Sequence, residues 1–173
     1  LFGDNCATCH GAGGQGAPGF PNLNDDDWLW GGTFPEIQQT IRHGARSGDP
    51  NAHVNVMQAY GKDGILKPDQ ISDLVDYVMS LSGGKADPEA VKRAAPLFAN
   101  VCAACHGADG KGNQAMGAPN LTDGIWLYGG DRKTIRETLT NGRGGVMPAW
   151  AGRLSDEQIT ALAVYVHSLG GGE

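Results

Sequence analysis

The chain has 173 residues, with 18% charged and 40% hydrophobic residues and a formal net charge of −6. An acidic chain without a run of Lys and Arg is a poor candidate for binding nucleic acid. No stretch of 18 apolar residues occurs, so the sequence predicts no membrane-spanning helix within these residues. The 28 glycines beside this hydrophobic fraction predict a folded protein with many tight loops.

The first five residues, LFGDN, match the end of a helix that the sequence predicts further along. There, residues 87–101 place Asp87 at the N-cap, Pro88 at the first helical position and apolar residues at helical spacing. We therefore expect the first half to keep only the end of its own copy of this helix. On this interpretation the chain is a fragment or mature form of a longer protein. A native protein with a short first helix is the alternative.

The chain is a tandem repeat. Residues of the first half recur in the second, and the matching segments are CATCH with CAACH, PNL with PNL, DDDWLWGG with DGIWLYGG, VMQAY with VMPAW, and DLVDYVMSLSGG with ALAVYVHSLGGG. The first copy carries about eight extra residues within ARSGDPNAHVN, as the register of the repeats requires. The repeat predicts two domains, 1–84 and 85–173.

Local signals predict helices in both copies. TFPE at 33–36 and SDEQ at 155–158 are capping boxes, and Asp131 is the N-cap of a further predicted helix. The last helix of each copy places apolar residues on one face. No segment alternates apolar and polar residues over any length, so we expect an all-α protein of about three to five helices per repeat.

Each repeat carries the sequence Cys-x-x-Cys-His, and together these two boxes use all four cysteines: Cys6, Cys9 and His10, then Cys102, Cys105 and His106. This box is the attachment site of c-type haem, in which two thiols form thioethers with the vinyl groups and the histidine binds iron. A zinc site would need four ligands at one place, a thioredoxin-like pair would need a βαβ context, and disulfides would not explain the histidines. The sequence therefore predicts two covalently bound haem c groups, and with the helices it predicts two class I-like cytochrome c domains.

The residue at the sixth coordination position of the iron decides between electron transfer and the binding of external ligands. A methionine there occupies the position and raises the reduction potential, which suits an electron carrier. The repeat aligns Met57 with Met147, so Met57 is the predicted ligand of the first haem and Met147 of the second. His53, in the inserted loop, is the rival ligand of the first haem. Met79 is interpreted as a packing residue, and Met116 as either a packing or a surface residue.

Aromatic residues recur at matching positions and are expected to pack around the haems. Trp30 and Tyr128 are candidate haem contacts. Arg42, Arg46 and Arg143 are candidates to pair with a haem propionate, and Arg143 is the best of the three.

At this point the sequence resembles a known family, the di-haem cytochrome c subunit of cbb3-type cytochrome c oxidases (CcoP or FixP). The resemblance rests on CATCHG with PNLNDDDWLWGG, on CAACHGADGKGN with GAPNLTDGIWLYGG, and on GVMPAW followed by a YVHSL helix. It implies a bacterial, periplasm-facing electron relay, with a membrane anchor upstream of the first haem domain. Electrons would arrive from a donor cytochrome c, pass between the haems and go to the catalytic subunits that reduce oxygen. The chain itself would be no enzyme.

Two other functions stay open on the sequence alone. One is a free-standing di-haem electron carrier. The other is a di-haem peroxidase or ligand sensor, which needs one haem with an open sixth position. All readings place the protein outside the cytoplasm, where haem is attached and unpaired cysteines would otherwise oxidise.

Overall fold

Helices and loops make up the chain in the structure, a computed structural model that describes residues 1–171. The helices are α1 (Phe2–Asn5), α2 (Ala7–His10), α3 (Phe34–His43), α4 (Pro68–Leu81), α5 (Pro88–Val101), α6 (Ala103–His106), α7 (Arg132–Asn141) and α8 (Asp156–His167), with a short 3₁₀ turn at Gln114–Met116. Within these residues β-structure is limited to isolated bridges. The prediction of an all-α protein is confirmed.

The helices begin where the capping signals predicted. Thr33 precedes α3, and its backbone N–H donates to the carboxylate of Glu36 at 3.0 Å. Ser155 and Gln158 form the equivalent reciprocal pair at α8. The Asp131 side chain accepts from two backbone N–H groups at the start of α7. These caps satisfy donors that a helix end leaves without partners, which fixes the first turn of each helix.

The chain forms two compact units that do not coincide with the two repeats. Unit 1 contains Leu1–Asn55 together with the chain from Gly144 onward, and unit 2 contains Val56–Arg143. Each unit therefore combines the first part of one repeat with the last part of the other. The predicted division into 1–84 and 85–173 describes the sequence repeat and differs from this spatial division.

Unit 1 is built around α1, α3 and α8. Its buried core consists of Phe2, Ile37, Ile41, Ile159, Leu162, Ala163 and Val166. Polar contacts join α3 to α8 at the edge of this core. Gln38 donates to the hydroxyl of Thr160 at 2.8 Å, and Arg42 contacts Asp156 at 2.5 Å.

Unit 2 is built around α4, α5 and α7. Its buried core consists of Leu66, Ile71, Leu74, Val75, Val78, Ala94, Phe98, Cys102, Leu121, Ile135 and Leu139. Leu74, Val75 and Phe98 are almost completely shielded from solvent. Tyr77 of α4 lies against Phe98 of α5, with ring centroids 4.7 Å apart.

The short connection between α4 and α5 explains why the units combine parts of both repeats. Only residues 82–87 separate the end of the first repeat's last helix from the start of the second repeat's first helix. Helices joined by so few residues usually pack against each other as antiparallel neighbours. Once α4 packs on α5, the start of the first repeat is left to pack with α8.

No helix in residues 1–171 combines the length and apolar character needed to cross a membrane.

Candidate haem sites

The first Cys-x-x-Cys-His box forms one tight helical turn in unit 1. The backbone N–H groups of Cys9 and His10 both donate to the carbonyl oxygen of Cys6, at 3.1 and 2.9 Å. Gly11, with φ of 80°, ends the turn. Cys6 is half-buried against the core of unit 1, while Cys9 is exposed. The turn brings both thiols and the imidazole into one short segment.

The second box repeats this geometry in unit 2. Cys105 and His106 donate to the carbonyl oxygen of Cys102 at 3.1 and 3.0 Å. Cys102 is buried within the core of unit 2, and burial raises the pKa of its thiol to about 11. Burial likewise lowers the pKa of His106, so its imidazole is neutral at pH 7 and suited to binding a metal.

Both histidines are oriented by the same hydrogen bond. Nδ1 of His10 donates to the carbonyl oxygen of Pro21 at 2.9 Å, and Nδ1 of His106 donates to that of Pro119 at 3.1 Å. A carbonyl oxygen can only accept, so the proton is on Nδ1 and the lone pair of Nε2 is left for iron. The residues present therefore fit a haem held through two thioethers and a histidine, once in each unit.

The aligned methionines lie on equivalent loops. Met147 pairs with Ala45 through two backbone hydrogen bonds of 2.9 and 3.0 Å, and Met57 pairs with Arg143 in the same way at 2.9 and 3.0 Å. Both methionines are half-buried and pack against a unit core. These bonds fix the loop on which each methionine stands.

A glycine directly after α3 and another directly after α7 allow the two methionine loops to lie close to the ends of these helices. A Cβ on Gly44 would overlap the carbonyl oxygen of Met147, and a Cβ on Gly142 would overlap that of Met57. Both glycines have a left-handed backbone, with φ of 73° and 70°. Glycine is the residue that meets both conditions without strain.

In the structure each methionine lies in the unit that contains the haem box of the other repeat. Met147 packs against the core of unit 1, which contains the first haem box, and Met57 packs against the core of unit 2, which contains the second. The sequence paired each methionine with the box of its own repeat, and the placement of the chain does not favour that pairing. The signal that was missed is the six-residue connection at 82–87, which makes α4 a partner of α5.

His53 is engaged elsewhere and is a poor candidate for iron. Its Nε2 lies 2.9 Å from the hydroxyl of Thr40, and its ring stacks on Trp30 with centroids 4.2 Å apart. Burial lowers its pKa, with a further contribution from the Arg46 charge. Met79 packs against the core of unit 2, and Met116 lies in the 3₁₀ turn at Gln114–Met116.

The structure places the remaining candidate contacts in two aromatic clusters. In unit 1, Trp30 has His53 stacked on it and the Arg46 guanidinium 6.0 Å from its ring centroid. In unit 2, the Arg143 guanidinium lies 4.2 Å from the ring centroid of Tyr128. Nε of Arg143 also donates to the hydroxyl of Thr138 at 2.9 Å. Sequence reasoning preferred Arg143 as the partner of a haem propionate and kept Arg46 only as a lesser candidate for the same role.

Comparisons with known proteins agree with both boxes. The family model described as cytochrome c matches residues 1–82, and that described as cytochrome c oxidase, cbb3-type, subunit III, matches residues 89–166. These matches follow the sequence repeats. Cytochrome c repeats carry haem c, so the comparison agrees with the chemistry that the boxes offer.

Curated relatives match nearly the whole chain. It is 64% identical over 173 residues to the cbb3-type cytochrome c oxidase subunit FixP of Azorhizobium caulinodans, covering 99% of this chain and 58% of that one. It is 61% identical to FixP of Bradyrhizobium diazoefficiens and 52% identical to CcoP of Cereibacter sphaeroides, covering 100% of this chain and 60% of each relative. The chain thus spans about three fifths of the length of these relatives. It belongs to the family of the FixP and CcoP subunits of cbb3-type cytochrome c oxidases.

Proposed function

We propose that this chain is a di-haem electron-transfer module that relays electrons to the catalytic subunits of a cbb3-type oxidase. A haem held by His and Met supplies one-electron transfer with no ligand exchange at iron. The observation that supports this function is the presence, in each unit, of an oriented histidine and a fixed methionine loop beside a Cys-x-x-Cys turn. The relay rather than oxygen reduction is the task of the chain itself.

The residues that hold each group come from both repeats. In unit 1, Cys6 and Cys9 form the thioethers, His10 binds iron and Met147 is the sixth ligand. In unit 2 these roles fall to Cys102 and Cys105, His106 and Met57. The exchange rests on the packing of each methionine against the core that contains the other repeat's box. Trp30, Tyr128 and Arg143 are proposed to line the haem surroundings.

The partners and location follow from the names of the relatives and from the chemistry of attachment. The donor is proposed to be another c-type cytochrome, and the acceptor the oxidase catalytic core. Covalent haem attachment places the module on the periplasmic side. A membrane anchor upstream of these residues would keep it at the inner membrane. The acidic net charge favours a donor with a basic surface, and docking should weaken with salt.

The experiment isolates the first haem and asks which methionine serves it. Cys102→Ser with Cys105→Ser leaves only the box at Cys6 and Cys9 for haem. In this background Met147→Ala should abolish the far-red methionine-to-iron charge-transfer band and allow the ferrous protein to bind carbon monoxide. Met57→Ala should leave the band unchanged.

The reverse background provides the control. With Cys6→Ser and Cys9→Ser, Met57→Ala should abolish the band and Met147→Ala should leave it. If the effects of the two methionines are interchanged in both backgrounds, the exchange is wrong but the relay stands. If no band is present in either background, and carbon monoxide binds before any methionine is changed, the electron-transfer proposal itself fails.

A further inference from the structure

We propose that Arg46 is a positioning residue that holds Met147 at the iron of unit 1, an inference that rests on the proposed function above. Arg46 lies in the loop that the first repeat carries and the second lacks. Its side chain bonds the carbonyl oxygen of Gly145 in the loop before Met147 and that of Asn55, and its guanidinium lies 6.0 Å from the ring centroid of Trp30. Its backbone adopts a conformation that is unfavourable for arginine.

The backbone of Arg46 is in the left-handed region. Its φ is 54°, and it is the one non-glycine residue with positive φ among residues 1–171. The Cβ makes this conformation unfavourable for arginine, so surrounding contacts must hold it in place. One such contact is on the backbone itself, where the N–H of Arg46 donates to the carbonyl oxygen of His53 at 2.6 Å. Glycine would adopt the same backbone at no cost, which indicates that the side chain is what the position needs.

The guanidinium joins two stretches of chain. Nε donates to the carbonyl oxygen of Gly145 at 2.5 Å, and an NH donates to that of Asn55 at 2.6 Å. Gly145 is two residues before Met147. The planar guanidinium presents its donors in a fixed geometry, so both carbonyls are held at set positions. The Trp30 ring beside it limits its movement.

The sequence before Met147 explains why such a contact is needed. Residues 144–146 are Gly-Gly-Val and all three are exposed, so the backbone leading to Met147 has high conformational freedom. The corresponding residues before Met57 are Val-Asn-Val, whose β-branched side chains stiffen the chain. In unit 2, Arg143 meets the methionine segment through its backbone, and its side chain bonds Thr138 and covers Tyr128. Arg46 also bonds the carbonyl oxygen of Asn55, two residues before Met57, but the valines on either side of Asn55 already stiffen that segment. Loss of the guanidinium should therefore displace Met147 and leave Met57 in place.

The test changes Arg46 in the full chain with both haems attached. Arg46→Gly relieves the left-handed backbone but removes the guanidinium, and Arg46→Ala removes the guanidinium while keeping a Cβ. In both variants the far-red charge-transfer absorbance of the ferric protein should fall by about half, since one of two His/Met haems is affected. The ferrous variants should then bind carbon monoxide at one haem in each molecule. Arg46→Lys, which keeps the charge but not the planar donor pair, should give a smaller loss.

Arg153→Ala is the matched control. Arg153 is an exposed arginine of the same unit, 5.7 Å from the ring centroid of Trp150, and its removal should leave both bands. Far-ultraviolet circular dichroism checks that the helices persist. If Arg46→Ala does not fold, the spectra of Arg46→Gly provide the test. Two full bands and no carbon monoxide binding in Arg46→Gly would overturn the inference. If the unaltered protein shows no far-red charge-transfer band and binds carbon monoxide, the proposed function itself is overturned.

Discussion

Asp76 shows how a single buried charge is stabilised in unit 2. It is 6% exposed, and its carboxylate accepts two hydrogen bonds from Arg132, at 2.6 and 2.7 Å, and one from the backbone N–H of Asp87 at 2.9 Å. These bonds favour the ionised form, and the Arg132 bonds contribute most to lowering the pKa of Asp76. The carboxylate thus joins α4 to α7 and to the N-cap of α5.

Asp76→Asn should destabilise unit 2 by about 2 kcal/mol at pH 7, because it weakens the charge-assisted hydrogen bonds that the buried carboxylate accepts from Arg132 and from the backbone N–H of Asp87. The pKa of Asp76 is lower in the folded state than in the unfolded chain. Its stabilising contribution is therefore full above the unfolded value of about 4 and is lost as pH falls through the folded value. Urea unfolding at pH 7 and at pH 3 measures both effects.

Asp73→Asn is the control for this change, since the Asp73–Arg93 pair is more exposed and should contribute less. An equal loss of stability in both variants, or a loss in Asp76→Asn that stays constant down to the lowest pH, would contradict the account.

Gly142 is the second residue whose role can be separated by a matched control. Gly142 and Gly64 share a φ of 70°, but a Cβ on Gly64 has no atom within 4 Å, whereas a Cβ on Gly142 would overlap the carbonyl oxygen of Met57. Both alanine variants should lose about 1 kcal/mol to the left-handed backbone. Gly142→Ala alone should also weaken the far-red band of one haem. Thermal unfolding and ferric spectra together measure this, and equal spectra in the two variants would rule out the close approach as the reason for glycine.

At the scale of the element, helix ends were the most predictable part of the fold. The signals at Thr33, Asp87, Asp131 and Ser155 act within one turn, so they can be identified without knowing what the helix packs against. The apolar faces of α4 and α8 were also predicted, because they repeat at helical spacing. The structure adds which helix each face meets, since that depends on connections and on competing partners.

The α4–α5 pair depends on small residues at its contact. Ala94 of α5 is fully buried in the core of unit 2, which also contains Leu74, Val75 and Val78 of α4, while Ala99 on α5 is exposed. Ala94→Leu should destabilise unit 2 by about 1–3 kcal/mol through overpacking. Ala99→Leu should change stability little, and denaturant unfolding compares the two. Equal effects would mean that α5 does not pack on α4 through this face.

At the scale of the whole molecule, the assembly of units from both repeats could not be predicted from residue patterns. The two repeats are similar enough that α4 and α8 present closely related apolar faces, and nothing in their sequences says which haem box each one covers. The haem boxes and methionine loops were identified because their spacing is local. Their pairing depends on the connection at 82–87 and on the return of the chain at Gly144.

This arrangement predicts that unit 2 can be removed from unit 1. Arg46 bonds the carbonyl oxygens of both Asn55 and Gly145, so the two points where the chain leaves and re-enters unit 1 lie against one side chain. A chain in which Asn55 is joined to Gly144 through two glycines should fold, attach one haem at Cys6 and Cys9, and keep a far-red band.

The comparison is a chain of residues 1–84, a complete sequence repeat that lacks α8 and Met147. It should neither unfold cooperatively nor show the band. Circular dichroism and ferric spectra decide between them, and the reverse result would mean that the repeat, not the compact unit, is the folding unit.

The passage of the chain through both units also sets the order in which the two units can fold during synthesis. A chain made from its N-terminus presents the box at residues 6–10 first, yet unit 1 is finished only when α8 has emerged. Unit 2 is complete once Arg143 has emerged, so it is free to fold while unit 1 still lacks its last helix. A premature stop codon just after Arg143 would therefore spare the later haem box and disable the earlier one.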